Sequence, residues 1–362
     1  MKKTRVGILF GGQSAEHEVS LQSAKNIIAS LNREKYEPVL IGIDKTGRWH
    51  LQEESTYLLH AENPKLIALN KSSDAVSLTP WKSDANIHSK QGSQGIDVIF
   101  PVLHGPLGED GTVQGLLKLA HLPFVGAGVL GSAVGMDKDV MKRLLRGAGI
   151  PVGKFLVVKD SEKKSLSFAA IQKQLGVPFF VKPANLGSSV GVSKVHSEAE
   201  FDKAIHDAFS YDTKILIEEY IEGREIECAV LGNDAPEASV AGEIVPTHEF
   251  YSYDAKYIDE DGAKLIIPVS LPDATLKEVQ ELAVNAFKVL CCEGMARVDF
   301  FLTKDGKIFV NEINTIPGFT KISMYPKLWE ASGVGYTELI DRLIQLAIER
   351  FEKEQKLKTI QG

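Results

Sequence analysis

Two apolar runs near the C-terminal end alternate with polar residues and flank a turn. The first is Arg297-Val298-Asp299-Phe300-Phe301 and the second Ile308-Phe309-Val310-Asn311-Glu312-Ile313-Asn314, with Asp305-Gly306 between them. Alternation with a period of two around an Asp-Gly turn predicts a hairpin. Arg297 lies two residues before Asp299, so both fall on one face of the strand. Asp299, Glu312 and Asn314 then offer three oxygen ligands on paired strands, a set suited to a hard divalent cation such as Mg²⁺. An arginine beside such a set points to chemistry on a phosphate or carboxylate. A hairpin with solvated charges on its outer face would show the same alternation. The direct run into Pro317-Gly318 favours a site.

The rest of the chain alternates strand and helix patterns. Thr4 to Phe10 is an apolar strand that ends in Gly11-Gly12-Gln13-Ser14-Ala15-Glu16-His17-Glu18-Val19-Ser20, before a helix over Leu21 to Leu31. Strand, glycine turn and helix open an α/β unit, and ligands bind at the carboxyl ends of such strands. The spacing is not Gly-x-Gly-x-x-Gly, so a dinucleotide site is weakly supported. Glu16 would repel phosphate at this position and suits the ammonium group of a substrate. Tyr36 to Ile43 and Ile96 to Leu103 are further strands. The second ends at His104-Gly105-Pro106-Leu107-Gly108-Glu109-Asp110-Gly111, ahead of a helix over Thr112 to Ala120. Residues 50–95 are weakly patterned, with 83–94 a polar loop. The glycine-rich stretch 123–135 is a linker near a domain boundary.

Beyond it, Asp137-Lys138 opens a helix whose apolar side holds Val140, Met141, Leu144 and Leu145. Strand and helix patterns follow to Phe179–Lys182. There Lys182-Pro183 leads into the loop Gly187-Ser188-Ser189, whose N–H groups and hydroxyls suit phosphate oxygens. Because the lysine precedes the glycines, this is not a Walker A loop. Glu218 to Ile221 breaks a strand pattern and on its own reads as a surface connection, though such a segment has backbone groups suited to a nucleobase edge and a carboxylate such as Glu225 suits ribose hydroxyls. Glu249 to Tyr257 is an aromatic loop, read equally as a lid or as a packed tyrosine cluster, and it ends in Lys256-Tyr257. Leu276 to Leu290 is an amphipathic helix, and a last helix carries the stripe Leu339, Ile340, Leu343, Ile344, Ala347, Ile348 and Phe351.

Composition narrows the classes. At 362 residues the chain exceeds one compact core, so two or three domains are expected. A net charge of −7 argues against a nucleic-acid or anionic-membrane binder, since both need a basic face. Cys291 and Cys292 are adjacent and Cys228 is remote, which implies no disulfide framework and fits a reducing cytoplasm. The apolar run after Lys2-Lys3 is too short for a signal segment, and no stretch could span a bilayer.

Taken together, the motifs resemble the ATP-grasp enzymes, and within them the D-alanine–D-alanine ligase family. They are Gly11-Gly12 with Ala15 to Ser20; His104-Gly105 with Gly108 to Gly111; Lys182-Pro183 with Gly187 to Gly191; Tyr253 to Tyr257; Arg297 to Asp299; and Glu312 to Asn314 with Pro317-Gly318. Each alone is unspecific, and their joint order is specific. The resemblance implies a mixed α/β and α+β architecture. An N-terminal open α/β sheet (1–125) would be followed by two α+β ATP-grasp subdomains (126–217 and 218–362) that sandwich ATP. It implies ligation of two D-alanines through a D-alanyl phosphate for peptidoglycan synthesis, in a cytoplasmic homodimer. Asp299, Glu312 and Asn314 would hold two Mg²⁺ or Mn²⁺ ions. Lys138 and Lys182 would contact ATP phosphates, with Ser188, Asn311 and Glu312 beside them. Glu218, Glu219, Tyr220 and Ile221 would line the adenine, Glu219 through its backbone, and Glu225 would meet the ribose.

On the substrate side, Glu16, Ser188 and Tyr257 would form a hydrogen-bonded triad. Arg297 and the Gly318 N–H would form an oxyanion hole. Lys256, Ser323 and Met324 would serve the second substrate, with His104 near the transferring group. Met324 stands where leucine is expected, a volume-conserving change. Relatives that make D-alanyl-D-lactate commonly lack the tyrosine, so Tyr257 favours an amine as second substrate. A D-alanine–D-lactate ligase or another ATP-grasp ligase of a small carboxylate and amine, and a nucleotide-binding regulator without catalysis, are the competing readings.

Overall fold

The computed structural model describes residues 2–70, 72, 74–79, 87–89, 92–246 and 263–358, and the following concerns those residues. The opening apolar run forms β1 (Thr4–Gly11), and Val6, Ile8, Leu9 and Phe10 are fully buried in it. Helix α1 (His17–Ser30) follows, so the Ala15–Ser20 motif lies at the helix start, four residues earlier than the sequence pattern predicts. Strand β2 (Tyr36–Ile43) pairs parallel to β1, and β3 (Trp49–Gln52) pairs antiparallel to β2. Residues 50–95 also supply the short strands β4 (Leu58–Leu59), β5 (Ala68–Leu69), β6 (Ser77–Leu78), β7 (Ile87–Ser89) and β8 (Gly92–Gln94). The last two fall in the stretch expected to be loop. Strand β9 (Val98–Val102) joins β1 on its other side, giving the order β3-β2-β1-β9. The loops after β1 and β9 therefore leave the same end of adjacent parallel strands, where connections diverge and an open crevice forms.

Helix α2 (Thr112–Leu119) leads to α3 (Val129–Met136), which corrects the expectation of a linker over 123–135. Its glycines are used for close packing: a Cβ at Gly131 would lie 2.5 Å from the Cys291 carbonyl oxygen. Helix α4 (Lys138–Gly147) is capped by Asp137, which accepts from the Val140 N–H at 3.1 Å. The buried face of α4 is Lys138, Met141, Lys142 and Leu145. Leu144, expected on the apolar side, is 41% exposed. That rotation turns two lysines inward.

The second sheet is antiparallel, in the order β10-β13-β11-β12, from β10 (Phe155–Lys159), β11 (Phe179–Pro183), β12 (Ser193–Val195) and β13 (Lys214–Glu219). Helices α5 (Phe168–Leu175) and α6 (Glu198–Phe209) cover one face, where Phe168, Phe179 and Phe201 pack ring against ring.

The third sheet, also antiparallel, is built from β14 (Gly223–Gly232), β15 (Glu237–Pro246), β16 (Ala263–Ile266), β17 (Gly294–Thr303) and β18 (Ile308–Asn314), ordered β16-β15-β14-β17-β18. Alternation divides its residues by face. Ile226, Cys228 and Val230 of β14 and Ala296, Val298 and Phe300 of β17 join one core with helix α7 (Asp273–Val289) and with Met141 and Leu145 of α4. Glu225, Glu227, Arg297 and Asp299 alternate with them and face the opposite side. Helices α8 (Met324–Ala331) and α9 (Tyr336–Gln355) close the chain and share a core with β1, β9 and α1 through Phe319, Tyr325 and Leu343. Helix α8 had no counterpart in the sequence pattern. Near the end of α9 the buried Arg350 donates to the carbonyls of Phe124 (2.7 Å) and Gly126 (2.6 Å), in the segment joining the first sheet to α3.

Candidate active site

The β17–β18 register sets the centre of the site. Arg297 lies opposite Asn314, and Asp299 opposite Glu312. Arg297 grips the Asp299 carboxylate with two bonds of 2.8 Å, and the Asn314 amide donates to Asp299 at 3.0 Å. From the neighbouring β14, Glu227 approaches Arg297 Nε at 2.8 Å. Glu227 was not anticipated. It sits in register with Asp299, so Arg297 lies between the buried Glu227 carboxylate and the half-buried Asp299 carboxylate.

Two cavities meet here. One, about 120 Å³, is lined by Glu16, Ser188, Arg297, Asp299, Asn314 and Gly318, with Ser323 and Met324 at its edge. The other, about 430 Å³, lies between the second and third sheets and is lined by Lys138, Lys182, Ser189, Glu218 to Ile221 and Arg224. Ser188, Glu225, Asn311 and Glu312 line both. The larger volume falls in the range of small-molecule sites. The geometry thus sets a larger chamber that carries Lys138, Lys182 and Arg224 beside a small acidic one.

The first sheet contributes Glu16, the residue that precedes α1. Ser188 donates to Glu16 Oε1, which ties the Gly187-Ser188-Ser189 loop of the second sheet to the first. A Cβ at Gly187 would stand 3.3 Å from Glu16 Oε2, so a side chain there would crowd the carboxylate. Ser188 and Ser189 both have positive φ (52° and 60°), a conformation L residues adopt uncommonly and one that turns successive N–H groups inward. Tyr257 and Lys256, the other expected members on this side, lie outside the described residues.

The lysines are placed by α4. Lys214 of β13 binds both Asp137 oxygens (2.7 and 2.6 Å) and Asp139 (3.2 Å), which pins the start of the helix to the second sheet. Lys138 then donates to the Leu186 carbonyl at 2.6 Å and lies 3.5 Å from Glu312. Lys182 pairs with Glu218 at 2.5 Å. Glu219 pairs with Lys154, its side chain accepting from the Lys154 N–H at 2.7 Å and its own N–H donating to the Lys154 carbonyl at 3.0 Å. Tyr220 is partly exposed under the Lys194 ammonium, 4.5 Å from the ring centroid.

These arrangements have known counterparts. Residues 5–127 match the family "D-ala D-ala ligase N-terminus", and residues 144–345 match "D-ala D-ala ligase C-terminus". The chain is 59% identical to the D-alanine–D-alanine ligase of Shouchella clausii, covering 99% of this chain and 98% of that protein. It is 54% identical to D-alanine–D-alanine ligase A of Escherichia coli K12, covering 99% and 100%. The chain belongs to the D-alanine–D-alanine ligase family. Among solved structures, the D-alanine–D-alanine ligase of Coxiella burnetii superposes with a TM-score of 0.86 at 42% identity, over 98% of this chain and 97% of that one. The VanG D-Ala:D-Ser ligase of Enterococcus faecalis gives 0.84 at 37%, over 96% and 100%. The architecture is accordingly the ATP-grasp fold expected of this ligase family.

Within this ligase framework, two acids behave differently. Burial, reinforced by the neighbouring Glu16, pushes the Glu109 carboxyl up to about 8, so it stays protonated at neutral pH. It accepts the Gly105 N–H at 3.1 Å. Burial also favours ionisation less at Glu218, but Lys142 and Lys182 override it and hold that carboxyl below its usual range. His104 is pushed down by burial, and its Nδ1 bonds the Ile316 carbonyl at 3.0 Å. A carbonyl only accepts, so Nδ1 carries a proton. His104 lines a third cavity, about 210 Å³ and mostly apolar, with Gly11 to Ser14, Leu103 and Trp49. Glu109, Glu227 and Lys142 are the site residues that sequence reasoning missed.

Proposed function

We propose that the chain ligates two D-alanines to D-alanyl-D-alanine with ATP, releasing ADP and phosphate, for peptidoglycan precursor synthesis. The observation that carries the reading is the junction at Ser188, Asn311 and Glu312, where the lysine-lined chamber meets the small one holding Arg297 and Glu16. Supporting it are the relatives named D-alanine–D-alanine ligase at 54–59% identity over the full length.

In this reading ATP lies between the second and third sheets, with its phosphates at Lys138 and Lys182. A carboxylate oxygen of the first D-alanine attacks the γ-phosphorus, the bond to the β-phosphate oxygen breaks, and ADP leaves. Glu16 holds the first ammonium, and the Ser188 hydroxyl fixes the Glu16 carboxylate. The amine of the second D-alanine attacks the acyl phosphate carbon. Arg297 and the Gly318 N–H face the oxygen that gains charge. Phosphate departs as the carbonyl re-forms, and the amine proton passes toward the Glu16–Ser188 pair. Activation is needed because a carboxylate is a poor acyl donor at neutral pH.

Mg²⁺ or Mn²⁺ fits the donors present. Asp299 and Glu312 are register partners, and the Asn314 amide N–H meets Asp299, so two carboxylates and an amide stand together whose oxygens are the donors a hard cation takes. Among the described residues no three His, Cys, Asp or Glu side chains form a metal group. Two carboxylates and an amide leave coordination positions for phosphate and water, as magnesium sites of nucleotide enzymes do. When bound, the metal would neutralise phosphate charge.

A homodimer accords with the exposed leucines 107, 116, 119 and 130 around α2 and α3. Cytoplasmic residence accords with three free thiols, and among the described residues no helix is long and apolar enough to cross a membrane.

The test is phosphate release with ATP, Mg²⁺ and D-alanine, run against L-alanine, with the product identified by mass. Release without D-alanyl-D-alanine would refute the reading. Adding D-lactate or D-serine separates the ligase from its ester- and serine-forming counterparts.

A further inference from the structure

Lys142 is 2% exposed and lines neither of the two meeting cavities. It stands one turn beyond Lys138 on the inward face of α4, with its ammonium 3.3 Å from Glu218 Oε1. The other oxygen of Glu218 holds Lys182 at 2.5 Å. One buried carboxylate therefore bridges two lysines, and only Lys182 reaches the nucleotide chamber. We propose that Lys142 is a positioning residue for nucleotide binding: it retains Glu218 so that Lys182 is free to turn its charge to the phosphates. This rests on the ATP reading above.

The reasoning is electrostatic. When phosphate oxygens draw on Lys182, its hold on Glu218 weakens. With Lys142 in place the carboxylate keeps a cation and stays compensated. Without it, Glu218 either keeps Lys182 for itself or becomes a buried unpaired charge, and both outcomes oppose nucleotide binding. Lys138 cannot substitute, because its ammonium is engaged with the Leu186 carbonyl and Glu312.

The experiment is calorimetric binding of ADP to the full-length protein and its Lys142→Met, Glu218→Gln and doubly substituted forms, with D-alanine KM and thermal unfolding measured alongside. Lys142→Met should weaken ADP by about tenfold, mid-range for residues coupled in one ionic network, while D-alanine KM stays within about twofold. In the Glu218→Gln background the same substitution should cost nothing, because no carboxylate is left to compensate. Should Lys142→Met not fold, Lys142→Gln is read by the same comparison. Unchanged ADP affinity, a parallel loss for ADP and D-alanine, or an equal loss in both backgrounds would overturn the proposal. A parent protein that fails to bind ADP would instead overturn the ATP reading.

Discussion

Glu109 offers a direct test of the site's electrostatics through stability. Its carboxyl is buried beside Glu16, raised from the ordinary 4.5 to about 8, and bonded by the Gly105 N–H. The folded state keeps a proton that the unfolded chain releases near its ordinary value. The stabilisation is full below about 4.5 and is lost as pH rises through about 8. Between these limits each pH unit removes about 1.4 kcal/mol. Glutamine has the shape of the protonated acid and keeps an acceptor for Gly105, but it cannot ionise. The stability of the parent relative to Glu109→Gln should therefore fall by about 3 kcal/mol between pH 5.5 and 7.5. Urea unfolding of the two proteins side by side, followed by tryptophan fluorescence, cancels every titration they share. Parallel pH dependences, or a parent that gains on the variant as pH rises, would refute the placement of a protonated acid beside Glu16.

Further outcomes follow from the same geometry. Arg297→Met removes both bonds to Asp299 and the charge proposed to face the developing oxyanion, so kcat should fall by about 10²- to 10³-fold with the fold intact by circular dichroism; a change confined to KM would contradict the proposal. Gly318→Ala would place a Cβ 2.7 Å from Ser323 Oγ, displacing a hydroxyl that accepts the Thr320 N–H at 2.9 Å. Loss of that bond and of the 2.8 Å contact to Thr320 Oγ1 amounts to about 2 kcal/mol, so urea unfolding should show a variant less stable by about that much, and if Ser323 serves the second D-alanine as proposed its KM should rise while KM for ATP holds. Tyr257→Phe is expected to raise D-alanyl-D-lactate formation when D-lactate is supplied, and chromatography of the products with no such rise would reject a role for the hydroxyl in substrate choice.

The sequence made the hairpin legible because three signals agreed there: alternation, an Asp-Gly turn and a ladder of polar residues. The apolar runs of β1, β2 and β9 were equally plain, since strands buried on both faces read as continuous hydrophobic stretches. Helix α3 was hidden because its glycines carry low helix propensity, while Gly131 approaches Cys291 and Gly135 approaches Thr315, both far along the chain. Lys142 was hidden for a related reason. A lysine within an amphipathic helix ordinarily faces water, and only Glu218, brought close by the second sheet, accounts for its burial. Glu227 lay in a strand already rich in acids, and its partner Arg297 comes from a different strand. Residues 50–95 gave no pattern because the strands β4 to β8 are two or three residues long, too short for periodicity to register.

Arg350 gives the tail of the chain a reach beyond its own helix. Its guanidinium satisfies two carbonyls at the crossing from the first sheet into α3, and it stacks 4.6 Å from the Phe124 ring. A stop codon a few positions ahead of it would delete no group that touches a substrate. It would still strip two polar atoms of their partners where the first sheet passes into α3. Losses at the far terminus should accordingly loosen that crossing although they remove no residue of the site.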